Sequence, residues 1–490
     1  MRPHPFDLEF VLAATGGTAA QVRARTFSGV SIDGRYVPEA GLWFALRGER
    51  FDGHMFAGQA VVSGASGLIV ARGRAKDLAD TLDVTIIEVE DTVVALGALA
   101  HAHRMRMKDL KVVGVAGSNG KTTTKEMIGA VLTAGFGAAA VHKTEGNYNN
   151  HIGLPLTLLR LDEEHRYAVV EMGMSAIGEL AYLAHMARPD VAVVVSIGAE
   201  HLETLGDLDT VARAEGEIFE ALTPSGTAIW PDGEERIQPY AEKSRALRRL
   251  RFGRAPGAPV RIVSAAARID GTDVVLRLSD GTRVETTLGI IGLHNAFNAA
   301  AAAACADALG VPAAAIAEGL KSARTAKHRS AIVDVAGRHI IDDCYNASPP
   351  SMGAALDTLA DFARQSGTRG IAVLGDMLEL GPTEADLHRE VGSRAGALGL
   401  HLLVGVGPRA AHIVEGARAA GMPADRAIHV DEIDDATWHA RRAAGPGDWV
   451  LVKASRGARL ERVVEGLRTQ LAPPPPGSAP AGSPSSTPRA

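Results

Sequence analysis

The hydrophobic positions of this chain fall into short, β-branched runs that alternate with longer stretches of helical periodicity. The clearest run covers residues 112–116, and a glycine-containing turn and a helical pattern follow it directly. A short apolar run of this kind is typical of a strand that is buried on both faces of a parallel sheet. Because strand and helix patterns alternate over most of the chain, the sequence predicts an α/β protein.

The spacing of these patterns predicts three α/β domains. Residues 1–108 form a small N-terminal α/β domain, with predicted strands at 42–46, 67–71 and 85–89. Residues 109–325 form a doubly wound domain with a mostly parallel sheet, with strands at 112–116, 167–171, 191–197 and 228–230. Residues 326–471 form a Rossmann-like α/β domain, with strands at 338–342, 370–374, 401–404 and 449–452. Residues 472–490 are rich in Pro and Ser, which predicts a disordered tail without a catalytic role.

Composition and charge narrow the class of protein. The chain has 490 residues, of which 46% are hydrophobic and 22% are charged, and its formal net charge is −6. This charge gives no reason to expect a nucleic acid or an anionic membrane as a partner. The one basic run, at 243–254, is predicted to be a solvated surface face.

Cysteine content and the absence of targeting segments indicate a location. Cys305 and Cys344 are the two cysteines of the sequence, so no disulfide framework is expected and a reducing compartment fits. The N-terminus lacks the pattern of a signal peptide, and no apolar run reaches the ~18 residues of a membrane helix. We therefore predict a cytoplasmic protein without membrane insertion.

The turn after residues 112–116 has the composition of a phosphate-binding loop. Backbone N–H groups converge in such a turn, and the positive end of the helix dipole faces the anion. Lys121 would reach the β- and γ-phosphates, and Thr122 would offer a hydroxyl to Mg²⁺. Val115 stands where the common consensus has glycine, and a plain glycine turn with a solvated Lys121 is the alternative. The ATP-binding residues predicted here are Gly117, Ser118, Asn119, Gly120, Lys121, Thr122 and Thr123.

Polar side chains follow further strands of the predicted central sheet, at the edge where open α/β sheets bind ligands. Glu171 ends one strand and suits Mg²⁺, although a surface or helix-capping glutamate is the alternative. His201 follows the next strand, and the structural and functional interpretations of this histidine weigh equally. Glu215 and Glu217 lie in a predicted amphipathic helix, where they could be its solvated face.

Two asparagines and a group of third-domain residues complete the candidates. Asn295 is predicted to be the N-cap of an Ala-rich helix, and Asn298, about one turn later, could direct its amide to a base or a phosphate. In the third domain, polar residues follow three strands and predict a cleft between the two ligase domains. These residues are Asp342, Asp343, Asn346, Asp376, Lys453 and Arg456.

Together these motifs resemble those of the Mur ligase family of ATP-dependent amide ligases. The resemblance is carried by residues 117–124, 146–155, 171–175, the loop around Asp343 and residues 374–381, in the family's order along nearly the whole chain. The shorter phosphate loop is the one that this family uses. Residues 147–155, 342–352 and 374–381 resemble the family member that adds D-alanyl-D-alanine to UDP-MurNAc-tripeptide, rather than its siblings.

The resemblance implies a reaction and its participants. ATP phosphorylates the carboxylate of UDP-MurNAc-tripeptide, and D-Ala-D-Ala attacks the acyl phosphate to give the pentapeptide precursor of peptidoglycan. It further implies ATP and Mg²⁺ as cofactors, a monomer, and a C-terminal domain that closes over the site. A sibling ligase that adds a single amino acid, or a nucleotide-binding regulatory module, are the alternatives.

The resemblance also assigns residues to roles. The catalytic residues are Lys121, Glu171 and His201, and the metal ligands are Thr122, Glu171, His201 and Glu215. Further nucleotide contacts come from Asn298, Arg329 and Asp343. The substrate contacts are Ile32, Gly34, Glu49, Arg50, Phe51, Asn147, Asn149, Asn150, Asn346, Asp376 and Lys453.

Two positions depart from the family's pattern. Sibling ligases have a carbamylated lysine where this chain has Glu215, and we expect the glutamate to replace the carbamate as a metal ligand without needing CO₂. The siblings' Asp-Ser-Arg motif is Asp33-Gly34-Arg35 here, so a hydroxyl contact to the uridine is missing.

Overall fold

A computed structural model describes residues 5–48 and 51–471 of the chain. Glu49 and Arg50, both predicted substrate contacts, and the predicted tail at 472–490 lie outside the described residues. The described residues form two compact units, and the boundary between them lies between Ala326 and Lys327. The short segment Glu379–Thr383 belongs to the first unit. Within the described residues, no helix is both long enough and apolar enough to cross a lipid bilayer.

The N-terminal part of the first unit is built on a five-stranded sheet in the order β2-β7-β6-β5-β4, in which only the β2–β7 pair is antiparallel. A small antiparallel pair, β1–β3, stands apart. The predicted strands at 67–71 and 85–89 correspond to β6 and β7. The elements are β1 (Phe6–Asp7), α1 (Leu8–Thr15), β2 (Thr18–Gln21), β3 (Thr26–Phe27), β4 (Val30–Ser31), β5 (Gly41–Phe44), α2 (Ala57–Val62), β6 (Ala65–Ala71), α3 (Ala75–Ala79), β7 (Thr85–Val89) and α4 (Thr92–Arg106).

The central part of the first unit is a nine-stranded sheet in the order β16-β15-β14-β13-β12-β11-β8-β10-β9. Its strands are parallel from β9 to β14, whereas β14, β15 and β16 pair antiparallel. The elements are β8 (Lys111–Ala116), α5 (Lys121–Phe136), β9 (Val141–Lys143), α6 (Gly153–Leu158), β10 (Tyr167–Glu171), α7 (Glu179–Ala187), β11 (Val191–Val194), α8 (Leu202–Leu205), α9 (Leu208–Gly216), β12 (Thr227–Pro231), α10 (Gln238–Lys243), β13 (Arg248–Gly253), β14 (Val260–Arg268), β15 (Gly271–Arg277), β16 (Arg283–Leu288), α11 (Asn295–Ala308) and α12 (Ala313–Ser322).

The four strands predicted for this sheet are present as β8, β10, β11 and β12, but β11 ends at Val194 rather than at residue 197. The basic run at 243–254 contributes strand β13, which the sequence did not predict. Arg248 and Arg249 are exposed there as expected, whereas Leu250 and Phe252 are buried.

Arg104 joins α4 to the central sheet within this unit. Its buried guanidinium donates hydrogen bonds to the carbonyl oxygens of Ala187 (3.1 Å), Met107 (3.1 Å) and Arg188 (3.3 Å). A buried guanidinium must find acceptors for its donors, and here two of the three carbonyl acceptors, those of Ala187 and Arg188, lie at the end of α7. Helix α4 is therefore fixed to the central part by hydrogen bonds as well as by apolar packing.

The second unit carries a six-stranded sheet in the order β17-β18-β22-β19-β20-β21, parallel except for the β17–β18 pair. All four strands predicted for this region are present as β18, β19, β20 and β22. The elements are β17 (Ala331–Val335), β18 (Arg338–Asp342), α13 (Pro349–Ser366), β19 (Gly370–Gly375), α14 (Glu384–Ala397), β20 (Leu402–Val406), α15 (Ala410–Ala419), β21 (Ala427–Val430), α16 (Ile433–Ala443), β22 (Trp449–Lys453) and α17 (Glu461–Leu471).

Candidate active site

The predicted phosphate loop connects β8 to α5. Gly117 and Gly120 adopt φ values of 122° and 84°, in the left-handed region that favours glycine. A Cβ at Gly117 would lie 2.7 Å from the backbone nitrogen of Val195 and 2.8 Å from that of Ser196, so a side chain does not fit there. The N-cap residue of α5 is Gly120, so no N-cap side chain occupies the first N–H groups of this helix. The start of α5 therefore has the geometry of an anion-binding helix N-terminus.

The segment after β11 holds this loop in shape. The Ser118 N–H donates to the Ser196 carbonyl at 2.8 Å, and the Asn119 N–H donates to the Ser196 hydroxyl at 2.9 Å. The Ser118 hydroxyl in turn accepts from the Gly198 N–H at 2.8 Å. Because the neighbouring strand end fixes these groups, the loop is preorganised rather than dependent on a ligand for its conformation.

Lys121 and Thr122 lie at the first turn of α5. The Lys121 ammonium donates to the Gly117 carbonyl at 2.5 Å and lies 3.8 Å from the Glu200 Oε1 atom. Thr122 is buried. The alternative of a fully solvated Lys121 is therefore wrong, because the loop carbonyl and a carboxylate contact its ammonium.

Glu215 and Glu217 are buried, so the alternative that they form a solvated helix face is wrong. The Glu215 side chain is 2% exposed and accepts a hydrogen bond from the Gly117 N–H at 2.7 Å. Glu217 accepts from the N–H groups of Gly178 at 2.7 Å and Ala181 at 3.2 Å, at the start of α7. Both carboxylates face inward because backbone donors of the loop and of α7 require acceptors there.

Glu200 is a site residue that the sequence prediction missed. Burial raises its pKa to about 8, against the opposing charge of Lys121, and the facing Glu215 carboxyl raises it further. Burial also raises the pKa of Glu215. The Glu200 Oε1 atom is buried without a hydrogen-bond partner. The sequence feature that could have identified Glu200 is its position immediately before His201, in the segment that follows strand β11.

Glu171 ends β10 and is 2% exposed, so the surface alternative is wrong for it as well. The Asn149 amide donates to its Oε1 atom at 2.9 Å, and its own N–H donates to the Thr144 hydroxyl at 3.0 Å. The Oε2 atom is buried without a hydrogen-bond partner. One oxygen of the Glu171 carboxylate is thus fixed by a hydrogen bond, whereas the other accepts none.

His201 lies in the left-handed region, with φ 52°, immediately before α8. Its Nδ1 atom pairs with the carboxylate of Glu379, which belongs to the same compact unit. Across residues 5–48 and 51–471, no group of three or more His, Cys, Asp or Glu side chains is arranged to hold a metal ion. The predicted metal-binding set with Glu171 and Glu215 therefore stays a prediction.

Asn298 lies against the phosphate loop, but Asn295 does not have the predicted capping role. Helix α11 begins at Asn295 itself, and the cap position, His294, makes no side-chain cap hydrogen bond. The Asn295 amide instead turns back to the Ile291 carbonyl at 2.7 Å, and its Oδ1 atom accepts from Asn298 at 2.8 Å. The Asn298 Oδ1 atom is the nearest atom to the position that a Cβ at Gly120 would take.

Four predicted residues come together in the second unit. The Lys453 ammonium pairs with Asp343 at 2.5 Å and donates to the Asn346 carbonyl at 2.9 Å. The Arg329 guanidinium lies 4.2 Å from the centre of the ring of Tyr345, which follows Asp343 by two residues. These contacts place a charged cluster at the ends of β18 and β22.

Asp376 and Asn150 have local structural roles. The Asp376 carboxylate accepts from the N–H groups of Arg409 (3.0 Å) and Ala410 (2.9 Å) at the start of α15. The Asn150 side chain accepts from the Gly153 N–H at 2.9 Å at the start of α6, and Asn147 is exposed. Helix capping accounts for the first two side chains in this structure.

Of the predicted uridine contacts, the described residues Ile32, Gly34 and Phe51 lie outside the strands of the N-terminal sheet. Arg35 donates to the Asp33 carboxylate at 2.7 Å, and this hydrogen bond lowers the pKa of Asp33 to about 2. Phe51 is 70% exposed, while Gly34 packs next to Phe56 and Ile32 is partly buried. The pair between Asp33 and Arg35 stiffens the turn that contains Gly34.

Three family models match consecutive parts of the chain. A model described as "Mur ligase family, catalytic domain" matches residues 26–104, "Mur ligase middle domain" matches 115–306, and "Mur ligase, glutamate ligase domain" matches 328–456. These matches agree with the predicted order of three α/β domains, and the fold class is confirmed.

Relatives match the chain over nearly its full length. The UDP-N-acetylmuramoyl-tripeptide–D-alanyl-D-alanine ligases of Bacillus subtilis and Escherichia coli are 36% and 35% identical to it, over 92% and 90% of this chain and 96% and 94% of their own. The crystal structure of MurF from Acinetobacter baumannii superposes with a TM-score of 0.86 at 31% identity, covering 96% of this chain and 100% of that one. MurF from Thermotoga maritima in complex with ADP gives a TM-score of 0.77 at 29% identity, covering 90% and 97%.

Proposed function

This chain belongs to the Mur ligase family, and we propose that it joins D-alanyl-D-alanine to UDP-N-acetylmuramoyl-tripeptide at the expense of ATP. The observation that carries the proposal is the agreement of relatives with this name over at least 90% of the chain. The loop at Gly117–Gly120, immediately before α5, supports the use of ATP, as does the ADP-bound relative of similar structure. The product is the pentapeptide precursor of peptidoglycan.

The reaction has two covalent steps. A terminal carboxylate oxygen of the tripeptide attacks the γ-phosphorus of ATP, and the bond from that phosphorus to the β–γ bridging oxygen breaks to release ADP. The amine of D-Ala-D-Ala then attacks the acyl carbon, the bond from that carbon to the phosphate oxygen breaks, and the amine loses a proton. Phosphoryl transfer of this kind depends mainly on positioning and on neutralising charge.

Lys121 and the start of α5 supply positive charge for the first step. The Lys121 ammonium now rests on the Gly117 carbonyl, and a rotation of its flexible side chain brings it to the phosphates. The N–H groups at the start of α5 face the same place, where the helix dipole favours an anion. Asn298 supports this loop at Gly120, so its role includes holding the loop as well as contacting the nucleotide.

Mg²⁺ fits the carboxylates next to the loop. The buried, unpartnered Oε2 atom of Glu171 and the Thr122 hydroxyl on α5 are oxygen ligands of the kind that Mg²⁺ prefers. Glu215 and the neighbouring Glu200 offer two further carboxyl groups at the loop, and His201 follows Glu200 in sequence. When bound, the metal supplies charge neutralisation for the transferring phosphoryl group.

One assay tests the proposed substrates. Phosphate release is measured with ATP and UDP-MurNAc-tripeptide, either with D-Ala-D-Ala or with single amino acids, and the product mass is determined. We expect turnover with D-Ala-D-Ala, and a product heavier than UDP-MurNAc-tripeptide by the mass of two alanine residues. Turnover only with a single amino acid indicates a sibling ligase, and tight ATP binding without acceptor-dependent hydrolysis indicates a regulatory module.

The proposal extends to location and assembly. A reaction that consumes ATP and UDP-linked precursors belongs in the cytoplasm, and the two cysteines, Cys305 and Cys344, are buried free thiols. We expect a monomer, which light scattering coupled to size-exclusion chromatography tests.

A further inference from the structure

Lys125 is a buried cation one helical turn after Lys121. Its side chain is 1% exposed and is among the largest fully buried side chains of the described residues. Removing an ammonium group from water is expensive unless opposite charges and hydrogen bonds compensate. The function of Lys121 does not account for this second lysine.

The contacts of Lys125 converge on Glu171. Its ammonium donates to the Thr144 carbonyl at 2.8 Å and pairs with the Glu126 Oε1 atom at 3.0 Å. The same nitrogen lies 3.8 Å from the Glu171 Oε2 atom, the oxygen that accepts no hydrogen bond. Lys125 is therefore an ion-pair partner of Glu171 without occupying its free oxygen by a hydrogen bond.

Four charges balance in this part of the first unit. Lys143 pairs with the second oxygen of Glu126, so two ammonium groups face the two carboxylates of Glu126 and Glu171. Burial by itself would raise the pKa of Glu126, but Lys125 and Lys143 outweigh burial and lower it. The Glu171 carboxylate thus has the Lys125 ammonium as its ion-pair partner before any ligand arrives, whereas Lys143 pairs with Glu126.

We propose that Lys125 is an internal counter-ion of Glu171 that prevents the site from binding a free divalent cation, so that the cation enters with the nucleotide phosphates. The inference rests on the proposed role of Glu171 as a metal ligand. A fixed positive charge about 4 Å from the ligand oxygen opposes a second cation strongly in a buried site. The phosphates of ATP add the negative charge that offsets this repulsion. Lys125 acts through Glu171 and is a positioning residue.

Binding of Mn²⁺ without nucleotide tests the inference, with free Mn²⁺ measured by electron paramagnetic resonance. The variants are Lys125→Met and Lys125→Gln, the second of which keeps an N–H donor for the Thr144 carbonyl but no charge. Lys143→Met is the matched control, because Lys143 pairs with the same Glu126 but is 43% exposed, and the ion-pair partner of Glu171 is Lys125. We expect both Lys125 variants to bind Mn²⁺ at least tenfold more tightly than the wild type, and the control to stay within twofold.

A double variant locates the gained affinity. Adding Glu171→Gln to Lys125→Met should return Mn²⁺ binding to the weak wild-type level. The inference is overturned if either Lys125 variant, folded by circular dichroism, binds Mn²⁺ no more tightly than the wild type. It is also overturned if the tighter binding survives in the double variant.

The wild type provides a test that no folding defect can affect. We expect free Mn²⁺ to bind it weakly and Mn²⁺ with ADP to bind tightly. Micromolar binding of free Mn²⁺ that Glu171→Gln abolishes would overturn the inference. If Glu171→Gln leaves Mn²⁺ binding with ADP unchanged, the metal role of Glu171 in the proposed function fails too. If Glu171→Gln abolishes Mn²⁺ binding with ADP while the Lys125 variants bind free Mn²⁺ like the wild type, only the counter-ion role of Lys125 fails.

Discussion

The Glu215 carboxylate accepts a hydrogen bond of 2.7 Å from the backbone N–H of Gly117. This contact joins the end of α9 to the first residue of the phosphate loop. By the family resemblance, a carbamylated lysine stands at this position in sibling ligases. The glutamate carries a carboxylate of its own, and the structure places that carboxylate at the loop.

The first prediction concerns Glu215. We expect Glu215→Ala to lower kcat at least about a hundredfold, because the Gly117 N–H loses its acceptor and the site loses a proposed ligand of Mg²⁺. Wild-type activity should not change when CO₂ and bicarbonate are removed. Glu215→Lys should regain activity only when bicarbonate is added, because its amine then becomes carbamylated. Steady-state phosphate release measures all three.

The control for this prediction is Glu220→Ala. Glu220 lies five residues later and is exposed, so its loss should leave kcat within twofold. Full activity of Glu215→Ala with an unchanged response to Mg²⁺ would contradict the role of Glu215.

The second prediction concerns Gly120. Gly120→Ala should weaken ADP binding at least tenfold, because the residue has φ 84° and its new Cβ would overlap the Asn298 side chain. Isothermal titration calorimetry measures the affinity. Gly178→Ala is the matched control, since Gly178 is the N-cap of α7 with a left-handed φ of 92° but has no atom within 4 Å of the new Cβ.

The two glycine variants separate backbone strain from crowding at the loop. Both should lose about 1 kcal/mol of stability, the usual cost of a left-handed alanine. Equal ADP affinity in the two variants would show that the contact with Asn298 has no part in nucleotide binding.

The third prediction concerns Arg104. Arg104→Met should lower the free energy of unfolding by about 2–4 kcal/mol, because the carbonyl groups at the end of α7 lose their buried donors. Urea denaturation followed by tryptophan fluorescence measures the change. Arg106→Ala is the control, since Arg106 is exposed on the same helix and should cost less than 1 kcal/mol. A similar loss in both variants would show that the buried hydrogen bonds of Arg104 contribute nothing specific.

The sequence predicted the parallel sheets well because their strands are short apolar runs. Strands β10, β7 and β18 have the predicted bounds without change. The antiparallel strands β14, β15 and β16 were not predicted, because they alternate polar and apolar residues at the edge of the sheet. Segment 260–268, for example, has a weak strand pattern, and its strand β14 is defined by pairing with β13 and β15.

The site was predicted where a motif determines the local backbone, and less well where long-range packing decides. The loop at Gly117–Gly120 and the buried position of Glu171 follow from a strand, a turn and a strand end. Glu200 was missed because its environment is made by Glu215 and Lys121, which are distant in sequence. The capping role of Asp376 depends on the start of α15, more than thirty residues later.

The last prediction concerns the pH dependence of stability at Glu200. Its pKa is about 8 in the folded protein, because burial and the Glu215 carboxyl disfavour its charge, whereas it is 4.5 when unperturbed. Between these values the folded state binds more protons than the unfolded state, so the contribution of Glu200 to stability is fully present below about pH 4.5 and is lost as pH rises toward 8. Glu200→Gln mimics the protonated acid and removes this dependence. Between pH 6 and pH 8, we expect the Tm of the wild type to fall by about 2–4 °C more than that of the variant. Scanning calorimetry without nucleotide measures both. Parallel pH curves for the two proteins would contradict a protonated Glu200, whereas a wild-type curve that declines more steeply supports it.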